Sequence, residues 1–390
     1  MRSLWHSLLV FFSSLTLTVV LLALSIVLVF WATLAQVKIG VWGVQEQFFR
    51  TLFVLGFIPG TRIPVPLFPG GYLLGGMLLL NLFAAHLYHG KFAWRKLGIH
   101  LTHLGLVLLL LGELFTSIWQ EEFQMRLTDG ETKSYSESYR DVELAVIDRT
   151  DPKVDDVVAV PQKVLAHGEP IQQASLPFRI VPRAFYPNAV LQLRSKVPNA
   201  PESPATQGIG PQVVVTPIPI TYKQDERNLP AAIVELVGPD GSLGTWVVSA
   251  MLGAPQHVNY AGHDYVLTMR FERNYKPFSL KLIKFSHDVY EGTDIPKNFS
   301  SLVEVKTPDG RDNREVNIYM NHPLRYAGLT FYQSGYEGEH TTILQVVRNP
   351  SWLMPYIACL IMAFGLVIQF GLSLIKFARR RRAASDPAAV

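Results

Sequence analysis

The sequence predicts a membrane protein with four transmembrane α-helices and one large extracytoplasmic antiparallel β-rich domain, folded as a sandwich or an open barrel. Its composition is the first observation, because 49% of the 390 residues are hydrophobic and only 17% are charged. Soluble domains usually carry about 25% charged residues. The second observation is that four long apolar runs flank one long stretch, residues 119–350, with many short β-branched and aromatic runs.

The first apolar run, residues 7–36, contains no acidic residue, lysine or arginine. It exceeds the roughly 20 residues that a bilayer requires and the apolar core of a signal peptide, about 7–15 residues. Residues 1–36 are therefore predicted to be an N-terminus followed by an uncleaved first span. Three further spans are predicted over residues 70–90, 97–118 and 352–375.

Lysine and arginine in the short connections predict the orientation of these spans. The loop 91–96 and the tail 376–390 are rich in both residues, and such segments stay in the cytoplasm. Both termini are therefore expected in the cytoplasm, and the chain is expected to be a multi-pass membrane protein. Residues 37–69 and the β-rich domain, 119–350, would then be external, in the periplasm of a bacterial inner-membrane protein or across an equivalent energised membrane. Because the basic charge follows this rule and the bilayer explains it, nucleic acid is not an expected partner.

The extracytoplasmic domain is predicted from strand-length runs separated by turn-forming segments such as TDGE, GPDG and TPDG. In VNIYM the apolar residues Val316, Ile318 and Met320 alternate with two others, which predicts one buried and one exposed face. About ten or more antiparallel strands are expected. The single cysteine, Cys359, excludes an intramolecular disulfide, a multi-cysteine zinc site and a CxxC redox motif.

Four histidines crowd the second and third spans: His86, His89, His100 and His103. Residues three apart share a helix face, and His103 lies about 10 Å deep if Lys96 marks the cytoplasmic end of the span. Neighbouring histidines could hold a divalent metal. Haem iron instead needs imidazoles on both faces of the porphyrin, which one helix cannot supply from positions i and i+3.

At most one residue of the pair His100 and His103 would therefore ligate a given haem, and the other ligand would come from another helix or chain. Arg95 and Lys96 lie at the level of haem propionates, or they simply anchor the span at the interface. The simplest alternative for His100 and His103 is a neutral imidazole that is hydrogen-bonded to a neighbouring helix.

Several segments then resemble the ResB (CcsB) family of cytochrome c biogenesis proteins. YEGTDIPKNFSSLVEV (290–305) and MNHPLRYAGLTFYQSGY (320–336) are similar to its motifs near the last span. ATLAQVKIGVWGVQEQFF (32–49), PLFPGGYLLGGMLLLNLFAAH (66–86) and LGIHLTHLGLVLLLLG (97–112) resemble its first three spans in order. The resemblance covers nearly the whole chain.

The resemblance implies a subunit of the system II cytochrome c synthase, not catalytic alone, that works with a ResC (CcsA) membrane protein. Such a pair moves haem b outwards and attaches it by thioether bonds to the CxxCH cysteines of apocytochrome c. The family's transmembrane haem-iron ligand matches His103 best, His100 second and His86 third. Arg95 and Lys96 complete the implied haem-binding set.

For the β-rich domain the expected role is a scaffold that holds apocytochrome c near the external haem site. Five residues of the last motif are candidate contacts with apocytochrome c or the partner: Asn321, Pro323, Gly328, Tyr332 and Gln333. The simpler alternative is that they define a turn and its packing.

Two other functions remain open. The first is a non-catalytic, membrane-anchored β-domain that stabilises a partner membrane protein, with purely structural histidines. The second is a transition-metal transporter built on the four histidines of the second and third spans. Four spans with one acidic residue make a poor ion path, which disfavours a transporter.

Overall fold

The computed structural model describes residues 2–58, 61, 63–89, 94–223, 226–292 and 296–384. Side chains are described for the same residues except 2–4, 89, 95, 289, 296 and 382–384. The chain divides into two compact units. The helical unit contains the chain up to Glu121, a short segment at Tyr222 and the chain from Asn349 onwards. The β unit contains the remainder, between Glu122 and Arg348.

The helices of the described chain are α1 (Arg2–Phe12), α2 (Leu15–Val44), α3 (Gly71–His89), α4 (Leu97–Trp119), α5 (Gln162–His167) and α6 (Met354–Ala384). Within the described residues, α2, α3, α4 and α6 are the four that are long and apolar enough to cross a membrane. The predicted set of four spans is therefore confirmed. A short antiparallel hairpin, β1 (Phe53–Phe57) and β2 (Pro64–Pro69), lies between α2 and α3.

A row of glycines packs α4 against α6. Gly98, Gly105 and Gly112 are all buried, and their seven-residue spacing keeps them on one side of the helix. A Cβ atom at Gly98 would lie 2.7 Å from the carbonyl oxygen of Gly365 on α6. Because lipid provides no hydrophobic drive between helices, close van der Waals packing of small residues stabilises such pairs.

The helix is interrupted at Ser13 and Ser14, between α1 and α2, inside the predicted first span. Asn81 of α3, only 3% exposed, donates from Nδ2 to the carbonyl oxygens of Phe12 (2.6 Å) and Ser14 (3.1 Å). Its Oδ1 accepts from the Thr18 hydroxyl at 2.6 Å. Carbonyls that are not bonded within a helix are costly in lipid, so Asn81 stabilises the break.

The β unit contains the other strands of the described chain. They are β3 (Glu121–Thr128), β4 (Thr132–Asp148), β5 (Asp156–Pro161), β6 (Arg179–Tyr186), β7 (Ala189–Leu193), β8 (Val213–Pro217), β9 (Ala231–Gly238), β10 (Gly241–Ser249), β11 (Gln256–Tyr260), β12 (His263–Val289), β13 (Pro296–Lys306), β14 (Asn313–Tyr319), β15 (Leu324–Tyr326), β16 (Leu329–Glu337) and β17 (Thr341–Arg348).

Ten of these strands form one sheet with the path β14-β13-β12-β4-β3-β17-β16-β15, and β5 and β11 pair with β4 and β12 beside it. A bridge between Tyr319 and His322 brings the two ends of this path together. The sheet is therefore barrel-like and nearly closed, which confirms the predicted antiparallel β-rich class. Strands β10, β9 and β6 form a smaller sheet, and β7 pairs with β8.

One long strand, β12, runs through both apolar cores of the β unit. Its first part pairs with β4, and its last part pairs with β13. One core contains Leu144 and Leu267, and the other contains Leu280 and Phe331. The sequence predicts two separate strands here. They are joined because a register shift, rather than a turn, accommodates the segment around Pro277.

The alternation predicted for β14 holds in its middle and fails at its end. Ile318 is fully buried, and Val316 packs against the same core. Met320, predicted to be buried, is 50% exposed, because β14 ends at Tyr319 and Met320 lies in the following turn.

We expect Gly105→Ala to destabilise the contact between α4 and α6, because its methyl group would lie 2.7 Å from the Ala358 carbonyl oxygen. Overpacking of this kind costs about 1–3 kcal/mol. Thermal unfolding of the detergent-purified protein measures the effect. Gly75→Ala on α3 is the matched control, since its Cβ would meet nothing within 4 Å. Equal melting temperatures for the two variants would contradict the glycine contact.

Candidate functional site

The side of α4 opposite its glycine row carries His100 and His103. At about 100° per residue, His103 lies roughly 160° around the helix from Gly105, and His100 lies roughly 160° from Gly98. The contact with α6 therefore directs both histidines away from α6. The three-residue spacing predicts that His100 and His103 share a face of α4. The glycine contacts show that this face points away from α6.

His86 of α3 completes a group of three imidazoles on this side of α4. Its ring centroid is 5.6 Å from that of His100 and 5.1 Å from that of His103, both edge to face. All three side chains are half-buried. The structure thus brings together three of the five predicted haem-binding residues, and they come from two helices.

His86 also makes a hydrogen-bond contact within its own helix. Its Nδ1 lies 3.2 Å from the Leu82 carbonyl oxygen. If Nδ1 carries the proton and donates it here, the lone pair of Nε2 remains for a ligand. Histidines that ligate metals commonly donate their other ring N–H to a carbonyl in this way.

His86, His100 and His103 are the described residues of the predicted set that could ligate haem iron. Over the described part of the chain, no group of three or more His, Cys, Asp or Glu side chains is arranged to hold a metal ion. A single imidazole is a common ligand of haem iron, and the three rings come from α3 and α4. Their chemistry fits an iron porphyrin whose other ligand comes from another chain.

The cationic members of the predicted set lie at the start of α4. Lys96 closes a 3₁₀ turn, Trp94–Lys96, and its side chain is exposed four residues before His100. The side chains of Arg95 and His89 lie outside the described part of the chain, as do residues 90–93.

Two polar residues of these helices, Asn81 and His6, are not among the predicted site residues. Asn81 fixes α3 to the break between α1 and α2, and a polar residue in the middle of an apolar run is the signal that could have identified it. His6 of α1 lies 5.8 Å from Tyr88, measured between ring centroids. Tyr88 is roughly 160° around α3 from His86, so His6 stays outside the imidazole group.

In the β unit, the motif at residues 320–336 forms two turns. Asn321 has a φ of 64° in the turn between β14 and β15, and Pro323 follows it, half-buried. Gly328 (φ 77°) and Ala327 (φ 49°) form the two-residue turn between β15 and β16. Positive φ at both central positions is the geometry of a type I′ hairpin. Gly328 therefore defines backbone geometry.

Gln333 links three strands in the β unit. Its Oε1 accepts from the Ser301 hydroxyl of β13 at 2.6 Å. Its Nε2 donates to the Gly335 carbonyl oxygen and to Oγ1 of Thr342 on β17, both at 3.0 Å. Ser301 and Thr342 are fully buried, so Gln333 has a packing role. Its neighbour Tyr332 is 38% exposed and remains available for contact with another molecule.

Comparison with known proteins shows which family this part of the β unit resembles. Residues 248–343, from the end of β10 into β17, match the model of the ResB-like family. The predicted resemblance to the ResB family is confirmed. The ResB-like segment includes both β-unit motifs and most of the core that contains Phe331.

Three curated relatives are similar to parts of the chain. Protein NrfI of Wolinella succinogenes is 33% identical over 92 residues, 23% of this chain and 10% of its own length. The cytochrome c biogenesis protein CcsB of Picosynechococcus sp. is 32% identical over 124 residues, 32% of this chain and 26% of its own. CcsB of Prochlorococcus marinus is 38% identical over 56 residues, 14% of this chain and 13% of its own. The chain thus spans about a quarter or less of each relative.

Gln333→Leu is expected to destabilise the protein, because it removes the hydrogen bonds that join β13, β16 and β17. Ser301 and Thr342 would still hydrogen-bond each other, so each lost bond to the amide costs about 0.5–1.5 kcal/mol. Thermal unfolding of the full-length protein in detergent measures the loss, and Tyr332→Ala is the matched neighbour that should leave it unchanged. A Gln333→Leu variant that unfolds at the same temperature as the parent would contradict the packing role.

Proposed function

We propose that this chain is a membrane subunit of a cytochrome c biogenesis machinery in the bacterial inner membrane. The observation that carries the proposal is the group of His86, His100 and His103, which two apolar helices place together in a chain with a ResB-like segment. Two relatives that bear the name cytochrome c biogenesis protein support it.

In this proposal haem b is the substrate, and a ResC/CcsA-type membrane protein is the partner. The pair exports haem and joins it to the CxxCH cysteines of apocytochrome c outside the membrane. The thioether sulfurs belong to the apocytochrome, because the single cysteine here, Cys359, lies in the apolar helix α6. Both termini are cytoplasmic and the β unit is periplasmic in this topology.

His103 is the proposed axial ligand, and the partner subunit supplies the opposite one. His86 and His100 pack around the His103 site and orient its ring, as neighbouring groups commonly do for ligating imidazoles. His86 is the alternative ligand, because its Nδ1 contact with Leu82 suits ligation through Nε2. Lys96 and Arg95 are the proposed partners of the haem propionates.

A second candidate function is a non-catalytic scaffold that stabilises a partner membrane protein. The turn geometry of Asn321 and Gly328 and the packing role of Gln333 favour it, because these motif residues shape the β unit itself. In that case the three imidazoles would have structural roles.

We expect His103→Ala to remove haem from the complex purified after co-expression with its partner, because the iron loses an axial ligand. The Soret absorbance per protein should fall by about 10-fold or more, since even changes beyond the ligands cost about 10- to 100-fold in metal affinity. His6→Ala is the matched control, an imidazole of the same unit outside the group.

Unchanged haem in His103→Ala would remove this residue from the site. The scaffold would be favoured by two results together. The purified complex would carry no haem in the parent or in either variant, and the partner would be lost when this chain is not co-expressed. Bound zinc or copper without a Soret band would favour metal transport.

A further inference from the structure

The two ResB-like motifs of the β unit meet side by side around one histidine. Phe299 of the first motif lies 5.4 Å from Tyr336 of the second, measured between ring centroids. His287 of β12 is paired with Phe299 across the strands. Its ring stacks on Tyr336 at 5.0 Å and an interplanar angle of 22°. The spacing of His287 in the sequence is not that of a metal ligand, so the sequence alone does not predict a role for it.

Aromatic rings fix the orientation of His287. Phe285, which is 3% exposed, lies 5.9 Å from His287 with the two rings nearly parallel at 12°. Phe285 and Tyr336 also contact each other at 5.8 Å. The imidazole is half-buried, so its ring plane is held while part of its edge remains accessible.

The other histidines of the β unit differ from His287, because each has Nδ1 within 3.5 Å of a protein oxygen. Their acceptors are Lys163 for His167, Asp264 for His257, Asp148 for His263, Met320 for His322 and Asp129 for His340. Neither nitrogen of His287 has a hydrogen-bond partner among the residues that the structure describes. A ring that packing holds in place, with uncommitted nitrogens, is preorganised to bind a metal centre.

We propose that His287 is a second haem-ligating residue, located in the β unit, with Tyr336 and Phe299 as the aromatic surface beside the porphyrin. The inference rests on the proposed function, in which haem leaves the membrane site and requires a receiving ligand. An imidazole nitrogen forms a coordinate bond to ferric iron and displaces a water molecule, without any change in oxidation state. Aromatic rings beside the ligand bury the apolar porphyrin edge.

The test is a hemin titration of the full-length protein in detergent. The parent carries His86→Ala, His100→Ala and His103→Ala, so that these three imidazoles of the helical unit cannot contribute. We expect one saturable site with the Soret band of a high-spin ferric haem, because one imidazole and one water molecule would ligate the iron. Adding His287→Phe, which keeps a stacked ring but removes the nitrogens, should weaken hemin binding by about 10-fold or more.

His322→Phe in the same parent is the matched control, because His322 is also stacked on a tyrosine, Tyr319, at 4.1 Å. It should leave the titration unchanged. Equal hemin affinity in the His287→Phe variant and its parent, or a signal that never saturates, would overturn the proposal. Thermal unfolding of both variants verifies that the stacked rings still pack.

The two proposals fail in different measurements. Haem that copurifies with the co-expressed pair reports on His103, whereas added hemin in the triple-alanine parent reports on His287. Equal hemin affinity in His287→Phe and its parent, together with copurified haem that depends on His103, would reject His287 alone. Copurified haem that is insensitive to His103→Ala would reject the membrane ligand, and the titration would still decide the role of His287.

Discussion

The close contact between α4 and α6 determines where the histidines of α4 can point. A helix has one rotation that places Gly98, Gly105 and Gly112 together against a neighbouring backbone, and this rotation turns the opposite face towards α3. The imidazole group is therefore a consequence of backbone packing at residues that have no side chain. In lipid, where apolar area gives helices little reason to associate, such steric fit carries much of the specificity.

A second constraint acts where the helical path is interrupted, because backbone carbonyls that leave a helix must find a partner away from water. Asn81 satisfies this constraint for the break between α1 and α2 with three hydrogen bonds. The same bonds hold the face of α3 that carries Asn81 towards α1, which leaves His86 on the side of α4. Glycine packing of α4 and the hydrogen bonds of Asn81 on α3 thus together place His86 beside His100 and His103.

The sequence was sufficient for properties that depend on local pattern, and insufficient for those that depend on the choice of neighbour. Hydropathy identified the four spans, and alternation identified the strands, because both report how each residue meets water. The sequence could not show that the predicted strands on either side of Pro277 are one strand, because pairing with β4 decides this. The grouping of His86 with His103 was suggested by crowding, whereas the stacking of His287 on Tyr336 joins residues that are distant in the chain.

The 27-residue strand β12 contributes side chains to both apolar cores of the β unit. Because side chains alternate along a strand, a slip of one residue in either half would turn the core residues of that half outwards. A continuous strand, rather than a flexible linker, therefore joins the two cores. Mechanical load applied at one end of β12 should pass directly to the other end, and the two cores should melt as a single cooperative block.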